Sequence, residues 1–197
     1  MVAPLAQDEL VVRLRDISRS TLARSYDILD PQQRHLATVV QQSGSAAAML
    51  RRQLVSSPLG LTETYEMLSG DAVVVRIARR RRGRPNRSLM VEVRLADDTP
   101  LCTAESAGGA DGPYTIHGPD GARLGDVAHG GRTLFVVTAA IGSPLGRIDT
   151  ESSTYAPQQA GSAHTSSYRV RFHADTPMPV RMGTLAVLVA FDSVQGP

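Results

Sequence analysis

Six arginines, Arg79, Arg80, Arg81, Arg82, Arg84 and Arg87, stand close together in this chain, five of them inside the run RRRRGR at 79–84. Guanidinium groups without acidic neighbours draw phosphate by long-range attraction first and by bidentate hydrogen bonds at contact. The chemistry that this cluster points to is recognition of an anionic phospholipid headgroup at a membrane surface. A polybasic segment gains about 1 kcal/mol per residue near such a surface. The tetrad RGRP at 82–85 also resembles the core of an AT-hook, a short arm that enters the minor groove of AT-rich DNA, so nucleic acid is the second expected partner class. The plain alternative is a solvated hairpin tip on an inert scaffold, with arginine use raised by codon bias. All 21 basic residues are arginine, which suits a GC-rich genome.

The remaining reactive side chains form no constellation. His35, His117, His129, His164 and His173 are scattered with no pair at metal-ligand spacing. No Gly-x-Ser-x-Gly elbow is present, and Cys102 is the single cysteine. The glycine-rich pieces at 108–112 and 118–125 open no helix, so they read as turns, with Asp120, Gly121 and Asp126 as hairpin chemistry. Asp192 ends an apolar segment and is expected where the helix emerges, either solvated or paired with an arginine on a strand end; the functional alternative is contact with a ligand or partner at the barrel mouth. The expectation is a protein without catalytic residues, bound metal or cofactor.

Composition sets the frame for these residues. With 197 residues, 42% apolar and 20% charged, the chain has the make-up of one globular domain over 1–197. Its longest apolar run, Leu185 to Phe191, is far short of the roughly 20 residues of a membrane helix. Asp8 and Glu9 stand where a signal peptide would be apolar. A lone cysteine suits a reducing compartment, so the expected location is cytoplasmic and peripheral to the inner membrane surface. Formal net charge is only +2, yet the stretch from Gly70 to Ala96 holds eight arginines against Asp71 and Glu92.

The elements that must position the arginines repeat along the chain. SYDILDPQQRHLATVVQQ at 25–42 reads as an alternating strand, a polar turn and a second alternating strand, with Tyr26, Ile28, Leu36, Thr38 and Val40 on the apolar face. The same pattern returns at 64–80, 89–106, 113–130 and 133–150, giving five hairpins broken at Pro31, Gly70, Asp97 with Asp98, Pro119 to Gly121, and Gly142 with Pro144. One further strand, LVVRLRD at 10–16, precedes them and SYRVRFH at 167–173 follows, for twelve strands. A short helix is expected at 45–54 and a mobile loop at 152–167. The segment 179–192 is apolar on every side at its centre, and a helix of that kind must be enclosed. A closed antiparallel barrel of about twelve strands is too wide for its own side chains to fill, so the helix is expected inside it.

The hairpin pattern of Tyr, apolar, Asp, turn, Leu-Gly-apolar, the twelve strands and the final apolar helix ending in Asp192 together resemble the tubby C-terminal-like superfamily. Within it the chain is most similar to the bacterial scramblase-related and plant LURP-one-related proteins. The resemblance covers roughly 9–194 and implies a mainly β fold, a twelve-stranded barrel around a central C-terminal helix. It also implies a non-enzymatic role in lipid binding or lipid scrambling at membranes, with phosphoinositide headgroups and DNA as known partners of the superfamily. Two features of the animal scramblases have no counterpart here. Cys102 stands alone where they carry an acylated cysteine cluster, and HADTPMP at 173–179 offers only Asp175 where they carry a calcium segment.

Overall fold

The computed structural model describes residues 6–17, 24–42, 62–81, 88–106, 108, 112–130, 133–151 and 167–195. Their strands are β1 (Glu9–Ile17), β2 (Arg24–Leu29), β3 (His35–Gln41), β4 (Thr62–Ser69), β5 (Ala72–Arg81) and β6 (Leu89–Leu95), then β7 (Pro100–Ser106), β8 (Tyr114–His117), β9 (Arg123–Gly130), β10 (Thr133–Ala139), β11 (Pro144–Glu151) and β12 (Ser167–Phe172). A single helix among the described residues, α1 (Met178–Gln195), follows them. Each strand pairs antiparallel with its neighbours in sequence, and β1 pairs with both β2 and β12, so the sheet closes into a barrel with no free edge. The expected helix at 45–54 and the loop at 152–166 lie outside the described residues.

Local chemistry explains why the strands double back where they do. In four hairpins a residue's carbonyl accepts from the N–H three positions on, while its N–H donates to the carbonyl four positions on. The pairs start at Asp30, Leu95, Gly118 and Ala139. The fourth residue of each turn sits in the left-handed region, with φ of 65° at Gln33, 65° at Asp98, 81° at Gly121 and 87° at Gly142. This is a type I turn closed by a left-handed residue, and it shifts the ladder by one position at the strand end, as between Ile28 and Leu29. Asp97 and Asp120 reinforce their turns by accepting the N–H of Thr99 and Ala122, both at 3.0 Å.

Alternation then decides what faces inward. Leu10, Val12 and Leu14 on β1 and Tyr168, Val170 and Phe172 on β12 are buried as their spacing predicts. On β3 the interior set is Ala37, Val39 and Gln41, which corrects the expected Leu36, Thr38 and Val40. HLATVVQ carries apolar residues in both phases, and the shift beside Leu29 selects the one that the sequence pattern did not.

The helix fills the lumen. Every residue from Val180 to Asp192 is buried, including the expected Leu185, Leu188, Val189 and Phe191. It lies against β6 to β9, and Gly183 permits that approach. A Cβ there would stand 3.1 Å from two carbons of Ile116 and 3.4 Å from the Cys102 sulfur. No described helix is long and apolar enough to cross a membrane.

At the start of α1 the buried Arg181 joins three segments. Its guanidinium donates to the carbonyls of Gln7 at 2.8 Å, His173 at 3.0 Å and Thr176 at 3.0 Å, and to the Asp8 carboxylate at 2.7 Å. The Phe172 ring lies beneath it at 5.2 Å. One cation thus fastens the entry to β1, the exit from β12 and the first turn of the helix.

Candidate anion-binding end of the barrel

Strand direction sorts the molecule into two unlike ends. Odd-numbered strands start at the end that holds the five short turns and the first turn of α1; even-numbered strands return to it. At the opposite end lie the starts of β2, β4, β6, β8, β10 and β12, the ends of the strands that precede them, and the last turns of α1. The last rung of the β5–β6 hairpin, Arg81 opposite Leu89, is at this second end.

The structure divides the six arginines of the cluster. Arg79 shares the inward phase of Val75 and Ile77. Its side chain is 3% exposed and its Nη1 donates to Glu63 Oε2 at 2.7 Å. It therefore belongs to the interior and is withdrawn from the exposed cation set, because the period of the strand turns it inward and a carboxylate meets it there. Arg80 points outward, 52% exposed, with its guanidinium 3.5 Å from Glu92. Arg81 is the final residue of β5, and Arg82, Arg84 and Arg87 lie outside the described residues.

Inside the rim of this end, polar side chains gather on the barrel axis. Asp192, 4% exposed, accepts from the Tyr26 hydroxyl at 2.9 Å and from Arg24 Nη1 at 3.2 Å, and the Tyr168 hydroxyl donates to its other oxygen. Arg24 Nη1 also donates to the Asp192 carbonyl. Arg24 thus caps a helix C-terminus, where the macrodipole favours a cation, and neutralises the carboxylate beside it. Glu63 continues the group by accepting from the Tyr65 hydroxyl at 3.2 Å. Burial, then the Asp192 carboxylate, pushes the Tyr26 phenol well above its ordinary 10.0. Burial draws the Arg24 guanidinium down, but the facing Tyr26 and Asp192 outweigh it and hold it above its ordinary value.

The other expected features separate. His129 stacks on Phe135 at 4.7 Å and meets Phe191 at 5.6 Å, while His35 bonds to Thr38 and His117 to the Gly121 carbonyl. His173 and Asp175 are exposed beyond β12, and His164 is outside the described residues. Asp126 accepts from Thr115 and Arg123, as hairpin chemistry requires. Burial pushes the Cys102 thiol up to about 12, so it is not a nucleophile at neutral pH. Among the described residues no three histidine, cysteine, aspartate or glutamate side chains group as a metal site. A groove of about 490 Å³ crosses the outer wall over β6 to β9, with Met90, Glu105, His117 and Arg123 along it.

For Asp192 sequence reasoning left solvation and an arginine partner both open; the structure shows it buried and paired, with Arg24, Tyr26 and Tyr168 not foreseen as its partners. Arg181 had no signal except a charge at the start of a helix otherwise apolar. Arg79 had one: counting in twos from Ile77 places it inside. No family model matches the chain, and no curated protein or solved structure is significantly similar to it.

Proposed function

We propose that this protein is a non-enzymatic module of the tubby-like, scramblase-related kind that binds anionic phospholipid headgroups. The feature that carries the reading is the Arg-rich sequence between β5 and β6, whose flanking rung, Arg81 opposite Leu89, lies at the barrel end where α1 finishes. Residues 81–88 hold Arg81, Arg82, Arg84 and Arg87 and no acidic residue. Arg79 and Arg80 face Glu63 and Glu92, and Arg82, Arg84 and Arg87 lie outside the described residues, so the reading rests on their sequence. The closed twelve-stranded barrel with its buried terminal helix agrees with the fold that the resemblance implies.

Flotation with vesicles tests this reading. Binding is expected on vesicles containing phosphatidylserine or a phosphoinositide, none on phosphatidylcholine alone, and a steep fall as salt rises from 50 to 300 mM. Equal flotation on neutral vesicles, or binding that salt leaves unchanged, would refute it. Selective capture by AT-rich duplex would replace it with the nucleic-acid reading.

A further inference from the structure

The outer wall over β6 to β9 carries a depression with opposite charges on its two sides. β8 is the shortest described strand, at four residues, and Pro113 stands before its start with no N–H to extend the ladder. Beside it lies the groove of about 490 Å³, inside the roughly 300–1,000 Å³ usual for small-ligand sites. Met90 marks its floor. It points outward between Arg80 and Glu105 on the same rung, yet it is 8% exposed while both neighbours are exposed. Pro113 continues the apolar lining, and Glu105 stands on one side. On the other side Arg123 reaches in from β9, and its bond to Asp126 draws the guanidinium back along that strand to the rung of Glu105 and Thr115. Carboxylate and guanidinium therefore flank Thr115 from strands two spacings, about 9–10 Å, apart. His117, also on the groove, adds an acceptor. A carbonyl can only accept, so the bond between His117 Nδ1 and the Gly121 oxygen places the proton on Nδ1 and leaves Nε2 of the neutral ring with a lone pair.

We infer that this groove binds a free α-amino acid with an aliphatic side chain. The ammonium donates to Glu105 and to His117 Nε2, the carboxylate accepts from Arg123, and the side chain lies over Met90 and Pro113. A guanidinium has five N–H donors, so Arg123 can hold Asp126 and a ligand carboxylate together. An ammonium and a carboxylate on one carbon, each adding a charge-assisted hydrogen bond of about 2.8 Å, span a gap of this order. A ligand with one charge alone leaves the opposite side of the groove desolvated without a partner, which costs affinity. The apolar floor separates a free amino acid from a lipid headgroup, because ethanolamine and serine headgroups bring no aliphatic group to cover Met90. The site lies on the barrel wall, and its occupancy is independent of the lipid reading.

Calorimetric titration of the full chain tests this with leucine, isoleucine, valine and methionine. Three truncations of leucine accompany them: glycine without the side chain, isoamylamine without the carboxylate and isocaproate without the ammonium. Leucine is expected to bind with a Kd of about 1 mM or tighter, and each truncation at least tenfold more weakly. Glu105→Gln and Arg123→Gln, both at exposed positions of the outer wall, are each expected to weaken leucine at least tenfold while the melting temperature stays unchanged. Should either variant fail to fold, the ligand series on the parent protein decides alone. No binding of any of the four amino acids at about 1 mM would overturn the inference. Glycine, isoamylamine or isocaproate binding as tightly as leucine would overturn it too, as would unchanged affinity in a folded variant.

Discussion

Asp192 shows how one buried carboxylate sets the state of its surroundings. Two tyrosine hydroxyls and one guanidinium satisfy it, and each comes from a strand start that closure of the barrel brings to the axis. Asp192→Asn should lower stability by about 3–5 kcal/mol, because it leaves the Arg24 cation buried without a counter-charge. Urea denaturation checks this, and Asp192→Asn combined with Arg24→Gln should lose less than the sum of the single variants. The Tyr26 phenol is held above 10.0 in the fold and titrates near that value when unfolded. Between the two values the unfolded chain releases a proton that the folded chain keeps, so stability is complete below about pH 10 and falls as pH rises. Melting temperatures between pH 8 and 11.5 should show this loss, and Tyr26→Phe should reduce its steepness. The Cys102 thiol should react with a disulfide reagent at pH 8 only after denaturant is added; reaction in the native state at the rate of a free thiol would contradict its burial. At this scale the sequence marked Asp192 as a charge at the end of an apolar helix and left open whether water or an arginine meets it. The partner was illegible, because Arg24 lies 168 positions away and only the closed topology joins them.

At the scale of elements, the strands and the helix were legible because each has its own period. Twelve alternating segments and one that is apolar all round leave few arrangements that bury both. The face of β3 was not legible, since Leu36 and Val40 compete with Ala37 and Val39 and only the turn geometry beside Leu29 chooses between them. The fit of helix to wall was equally hidden until Gly183 was seen against Ile116 and Cys102. Gly183→Val should cost about 1–3 kcal/mol by overpacking that contact. Leu188→Asp should abolish soluble expression, because an unpaired charge in the lumen costs several kcal/mol against a total stability of about 5–15. A soluble, cooperatively melting Leu188→Asp protein would mean that the helix does not fill the barrel. The seam between β1 and β12 carries Glu9, Arg169, Arg171, Glu151 and Asp149 as a chain of ion pairs on its outer face. These pairs are partly exposed, so they fix register more than they add stability.

For the whole molecule, strand direction sets the five short turns with their aspartates at one end of the barrel and the last β5–β6 rung, Arg81 opposite Leu89, at the other. The same topology withdraws Arg79 from the run and leaves Arg82, Arg84 and Arg87 in the connection. If these three are worth about 1 kcal/mol each at an anionic surface, replacing them with serine should lower vesicle binding on the order of a hundredfold at low salt. Net charge alone would produce part of that loss, so the control must remove the same charge elsewhere. Arg94, Arg123 and Arg147 are at least 45% exposed and lie on the wall or toward the short-turn end. The decisive measurement is the partition coefficient on phosphatidylserine vesicles for Arg82→Ser/Arg84→Ser/Arg87→Ser beside Arg94→Ser/Arg123→Ser/Arg147→Ser, both checked for unchanged melting. The account predicts a loss on the order of a hundredfold for the first and less than fivefold for the second; equal losses in the two would contradict it.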